Sequence, residues 1–256
     1  MPERPARRRR RHQDSESVCE MFGPVGTTPY DLRFRVLGIP VTVTPWFWLA
    51  GLITGWRPNS GQHLDLLVIW IGCLFISILV HEMGHALTAL FFGWPPEVYL
   101  YGFGGLAVYR PGYGRTTGRS VLISFAGPAA GFLLFGLMIA LAMALAASGR
   151  PQQLELAWRN RLSDFLWDMT WINLVWGLVN LVPVLPLDGG RIAESLLVHF
   201  RPWDGPKLTV TLSVVVAVVA AVAFYLNREM FGTYPAFFFG LLALVNIQSL
   251  QTRGVW

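Results

Sequence analysis

The chain has 256 residues, 54% of them hydrophobic and only 14% charged, with a formal net charge of +5. An average soluble domain carries about 25% charged residues, so this composition and a positive mean hydropathy exclude an ordinary soluble enzyme and indicate a polytopic membrane protein. The two cysteines, Cys19 and Cys73, form no CxxC pair and exclude a disulfide framework.

Residues 1–35 are polar, basic and rich in Pro and Gly, and read as a disordered cytoplasmic tail. Within it, Arg7 to Arg11 is an unbroken arginine run. Such a run can bind nucleic acid or fix membrane topology. Beside several apolar segments the topological role is the expected one, and no nucleic-acid partner is expected. Polar residues rather than an apolar core follow the basic head, so no cleavable signal peptide is expected.

Six apolar segments follow, at approximately 40–57, 65–92, 120–147, 166–186, 208–226 and 234–251. Crossing a hydrocarbon core of about 30 Å takes roughly 20 helical residues, which the first segment only just supplies. The expectation is an all-α polytopic membrane protein of about six transmembrane helices, forming one domain over residues 36–256. No stretch between the segments is long enough for an appended soluble domain. With six spans, fifteen of the 20 Lys and Arg residues fall on the side of the termini and five on the other. The positive-inside rule then puts both termini in the cytoplasm of a bacterial-type plasma membrane.

The loop after the second segment differs from the others. It runs through Pro95-Pro96, Glu97-Val98-Tyr99-Leu100-Tyr101, the glycines Gly102, Gly104 and Gly105, and Leu106-Ala107-Val108-Tyr109. Two β-prone runs separated by glycines predict a hairpin or small sheet against the membrane.

The second segment holds His81-Glu82-Met83-Gly84-His85. Helix positions i and i+4 share a face, so both imidazoles can point at one ion. Glu82 beside them can take a proton from a metal-bound water, which is the mechanical meaning of HExxH. Ionisable groups in a bilayer cost several kcal/mol and are kept for function; neutral imidazoles bound to a metal avoid that cost. His85 lies about seven residues before the segment ends, or about 10 Å from the cytoplasmic face at 1.5 Å per residue. The small residues Gly84 and Ala86 let neighbouring helices approach.

A catalytic zinc site usually has three protein ligands and an open position. His12 and His63 lie in polar segments and His199 in a loop, so no third histidine is well placed. The best remaining candidate is Asp188, in Asn180-Leu181-Val182-Pro183-Val184-Leu185-Pro186-Leu187-Asp188-Gly189-Gly190. The fourth segment ends on the same side as the second, which brings Asp188 within reach of the histidines. By itself Asp-Gly-Gly is equally a turn that ends a span.

HExxH in one span, followed about a hundred residues later by Asn-x-x-Pro and Leu-Asp-Gly in another, resembles the site-2 protease family of intramembrane zinc metalloproteases. Arg35-Val36-Leu37-Gly38-Ile39-Pro40 and Gly127-Pro128-Ala129-Ala130-Gly131 add to the likeness, which covers roughly residues 33 to 251. The resemblance implies one zinc ion per chain, held by His81, His85 and Asp188. It also implies that Glu82 activates water for hydrolysis of membrane-anchored protein substrates, and that Asn180 supports the substrate or the developing oxyanion. It further implies a substrate-binding strand at Gly104 and Gly105. In this family the third-span motif often ends in Asn, where Gly131 stands here, and neither a PDZ-like nor a CBS-like domain is recognisable. Two other classes fit the histidines less well: a metal transporter needs polar groups along a continuous path, and a non-catalytic scaffold does not need Glu82.

Overall fold

Leu32-Arg33-Phe34-Arg35-Val36 and Ile39-Pro40-Val41-Thr42-Val43 each alternate in the period of two that a half-buried strand requires. They form β1 (Leu32–Val36) and β2 (Ile39–Val43). The turn between them is Leu37-Gly38, with φ values of 50° and 82°, the positive angles that a two-residue hairpin needs. Residues 32–35, which composition assigns to a disordered tail, are therefore structured. The computed structural model describes residues 28–56, 64–102, 104–112, 114–149 and 156–253, so the arginine run and residues 1–27 lie outside the described residues.

A short helix, α1 (Pro45–Gly55), follows with proline at its first turn, where the missing N–H costs nothing. At 1.5 Å per residue its 11 residues reach only about 16 Å. The apolar segment at 40–57 is thus not a single spanning helix; it is a strand followed by a half-length helix. Next come α2 (Leu64–Phe91), β3 (Pro96–Tyr101), β4 (Gly104–Tyr109) and α3 (Thr117–Ser148). The chain continues through α4 (Leu156–Asn180), α5 (Asp188–Phe200), α6 (Gly205–Leu226), the single turn α7 (Arg228–Phe231) and α8 (Tyr234–Arg253). Among the described residues, α2, α3 and α6 are long and apolar enough to cross a membrane. The fold is mostly helical, with one small sheet.

The expected hairpin of β3 and β4 is present but belongs to a larger sheet in the order β1-β2-β3-β4. β2 pairs with β3 in parallel, Val41 opposite Val98, while β3 and β4 are antiparallel, Leu100 opposite Gly105. β4 is left as an edge. One face of the sheet buries Ile39, Val41, Val43, Val98 and Leu100 against Phe47 of α1 and Ile78, Met83 and Ala86 of α2. This packing holds the sheet alongside the histidine-bearing half of α2.

The fourth apolar segment also differs from its expected bounds. α4 stops at Asn180 because Pro183 and Pro186 lack the N–H groups that would continue it. Seven irregular residues, 181–187, follow before Asp188 opens α5. Between α2 and α4 the buried amide of Asn173 donates to Ser77 Oγ at 2.8 Å. Gly84 lets α2 approach α3 closely, since a Cβ there would lie 2.9 Å from that of Ala130.

Candidate metal centre and active site

His81 and His85 are one helical turn apart on α2 and only 3% and 6% exposed. Their Nε2 atoms lie 3.2 Å apart. Asp188 Oδ2 is 3.0 Å from the first and 3.3 Å from the second. Among the described residues this is the one group of three or more His, Cys, Asp and Glu side chains close enough to share a metal ion.

The triangle fits a zinc ion. Tetrahedral zinc with ligands at about 2.0–2.1 Å places neighbouring donor atoms about 3.3 Å apart. The tautomer fits as well. His85 Nδ1 lies 2.7 Å from the carbonyl oxygen of Ile123, which can only accept, so Nδ1 carries the proton and donates. Nε2 of the neutral ring is then the bare lone pair that a metal requires. The His85 lone pair, His81 Nε2 and a carboxylate oxygen converging in a buried space form a donor set for a cation.

Small residues make the triangle possible. A Cβ on Gly127 of α3 would lie 2.8 Å from His81 Nε2 and would also overlap the His85 ring. Any larger residue would therefore intrude on the space between the donor atoms. Around Asp188 the same logic acts on the backbone. A Cβ on Gly189 would strike the Leu181 carbonyl, and one on Gly190 the backbone of Val184 and Leu185. The glycine pair thus lets the 181–187 loop fold back on the first turn of α5, which aims Asp188 at the histidines. Asp-Gly-Gly is both a chain reversal and a candidate ligand.

Glu82 is 5% exposed, and its carboxylate packs against Gly105 so closely that a Cβ there would overlap it. Gly104, with φ of 128°, begins β4 beneath the Trp176 ring. Asn180 is buried in the wall of the same cavity; its Nδ2 donates back to Trp176 O at 3.0 Å, leaving one N–H of the amide over. The structure thus gathers His81, Glu82, His85, Gly105, Asn180 and Asp188 around one cavity, with Gly104 next to Gly105 at the start of β4. Tyr101, Tyr109, Trp176, Arg191 and Phe238 also line it. None of these carries a sequence motif of its own; only Arg191, directly after Gly190, has a neighbour that could have drawn attention to it.

The pattern of peptidase family M50 matches residues 69–226. The chain is 34% identical over 177 residues to sll0528 of Synechocystis sp., covering 63% of this chain and 42% of that protein. It is 38% identical over 165 residues to Rip3 of Mycobacterium tuberculosis, covering 61% of this chain and 39% of that protein. Both are named as zinc metalloproteases. The chain spans about four tenths of the length of these relatives. Its fold is similar to that of the solved site-2 protease from Methanocaldococcus jannaschii, with a TM-score of 0.57 at 21% identity, covering 86% of this chain and 95% of the other.

Proposed function

We propose that this chain, which belongs to peptidase family M50, is a zinc metalloprotease that hydrolyses peptide bonds within or near the transmembrane segments of membrane-anchored proteins. The observation that carries this reading is the triangle of His81, His85 and Asp188, with sides of 3.0–3.3 Å, set beside Glu82 within a long apolar helix.

His81 Nε2, His85 Nε2 and Asp188 Oδ2 would hold the zinc ion. Bound there, zinc makes water easier to deprotonate near neutral pH and polarises a carbonyl oxygen. Glu82 takes the proton from the attacking water at its carboxylate and passes it to the departing amide nitrogen. The water oxygen adds to the scissile carbonyl carbon, the C–N bond breaks, and a carboxylate and an amine result. The spare N–H of Asn180 is suited to support the oxygen that gains charge.

A helical substrate hides its amides and must be opened before cleavage. Edge strand β4, with Gly105 against Glu82, offers unpaired backbone groups to a segment in extended form. Unpaired backbone polar groups at membrane depth are tolerated only within protein or beside water, so this edge suits a strand-like guest.

The first membrane crossing is composite. It is made of the strand β2 and the half-length helix α1. The crossings of α2, α3, α4, α6 and α8 make six, with both termini in the cytoplasm and the site nearer that face. Cells in which Glu82→Gln replaces the native chain test the reading. Uncleaved membrane-anchored proteins should accumulate relative to wild type, and an unchanged membrane proteome would count against it.

A further inference from the structure

The loop 181–187 has to hold a candidate metal ligand while running in irregular conformation between two helices. Backbone groups in such a place need partners, because water is not freely available. Val184 N–H donates to Val182 O at 2.7 Å, and Leu187 N–H to Val184 O at 2.8 Å. Pro183 and Pro186 have no N–H to satisfy. Leu185 is left at the centre of the loop, 5% exposed and three residues before Asp188, with both of its backbone polar groups facing away from the loop's own turns.

Two side chains from distant helices take them. Leu185 N–H donates to Ser213 Oγ of α6 at 3.0 Å, and Asn246 Nδ2 of α8 donates to Leu185 O at 2.7 Å. Both side chains are fully buried. Neither is free to turn away: Ser213 Oγ donates to Thr209 O at 2.8 Å, and Asn246 Nδ2 also donates to Leu242 O at 2.8 Å. An apolar contact reinforces the clamp, since Val184 packs with Ala217 of α6 and with Phe239, Leu242 and Ala243 of α8. The residue after Leu185 is Pro186, and Gly190 fits directly against the Val184 and Leu185 backbone. Displacing Leu185 therefore displaces the first turn of α5 and Asp188 with it.

We propose that Ser213 and Asn246 are positioning residues for the metal site, fixing Asp188 on the His81–His85 pair by clamping the Leu185 peptide from α6 and α8. The inference rests on the zinc-site reading above. It makes the metal geometry dependent on how α6 and α8 sit, and Phe238 of α8 already forms part of the cavity wall.

Zinc affinity, measured by chelator competition on the purified full chain in detergent, tests this without using catalysis. Asn246→Ala and Ser213→Ala should each weaken zinc binding on the order of tenfold, the lower end of what supporting hydrogen bonds around a metal site contribute. Thr209→Val serves as the control. It removes a buried hydroxyl of α6 that bonds only to Gly205 O within the helix, and it should leave zinc affinity unchanged. Ser213→Ala changes one atom, so it decides the matter if Asn246→Ala fails to fold. Wild-type zinc affinity in Ser213→Ala, or an equal loss in Thr209→Val, overturns the proposal. If the wild-type chain binds no zinc, the metal-site reading itself fails instead.

Discussion

His81 Nε2 and Asp188 Oδ2 lie 3.0 Å apart although 107 positions separate them in sequence. The contact joins the middle of α2 to the first residue of α5, and it depends on the glycine-permitted fold-back of the intervening loop. With His85 Nε2, 3.2 Å from His81 Nε2, it completes a triangle of donor atoms in the wall of the cavity that Glu82 also lines.

Removing Asp188 should therefore act on metal before it acts on anything else. Asp188→Ala should weaken zinc binding by more than the ten- to hundredfold typical of losing a supporting hydrogen bond, with proteolysis falling in parallel. Chelation of the wild type should likewise abolish cleavage, and added zinc should restore it. Zinc content by mass spectrometry, set beside cleavage of a membrane-anchored substrate, checks both.

Gly127 should behave as though it were part of the metal site without offering a ligand. In an exposed helix, Gly→Ala is stabilising by about 1 kcal/mol. At Gly127 the new methyl would fall on the His81 and His85 rings, so overlap decides the sign. Gly127→Ala should lose zinc, whereas Gly136→Ala in the same helix, with nothing within 4 Å of its Cβ, should keep it. Metal analysis of the two variants separates a site effect from a helix effect.

Gly105 tests the proposed role of the Glu82 carboxylate in isolation. A methyl there overlaps Glu82, whose side chain supplies its three nearest atoms. Gly105→Ala should keep zinc and lose cleavage by about a hundredfold, the cost of displacing a reacting group by roughly 1 Å. Parallel zinc and rate measurements distinguish this from a collapsed site.

The Asn173–Ser77 hydrogen bond should contribute to stability and leave the metal alone. Interhelical hydrogen bonds in membranes are worth about 0.6 kcal/mol on average and up to about 1.7. Asn173→Ala should destabilise the chain by about 1 kcal/mol in a denaturant titration while its zinc affinity stays at the wild-type value.

The histidine pair was legible in the sequence because a four-residue spacing inside an apolar run leaves little else for two imidazoles to do. Asp188 was legible as a neighbour of the histidines through its motif. The hairpin at residues 96–109 was legible from β-prone runs and glycines. β1 and β2 were not, although Leu32 to Val43 alternates with a period of two around Leu37-Gly38. The polar, Pro- and Gly-rich composition upstream masked the pattern. The first crossing was read as a single helix because hydropathy records how apolar a stretch is and not whether its backbone is strand or helix. The places of Gly127, Ser213 and Asn246 could not be read at all. Each matters through a neighbour on another helix, and single-chain spacing carries no information about that neighbour.

In the proposed reaction Glu82 moves a proton during hydrolysis at a zinc ion that His81, His85 and Asp188 would hold. Its most direct test measures zinc stoichiometry and peptide-bond cleavage on one preparation of Glu82→Gln in liposomes with a membrane-anchored substrate. One zinc ion per chain, as in wild type, and no cleavage are expected. Wild-type cleavage by a pure, zinc-loaded Glu82→Gln protein would contradict it.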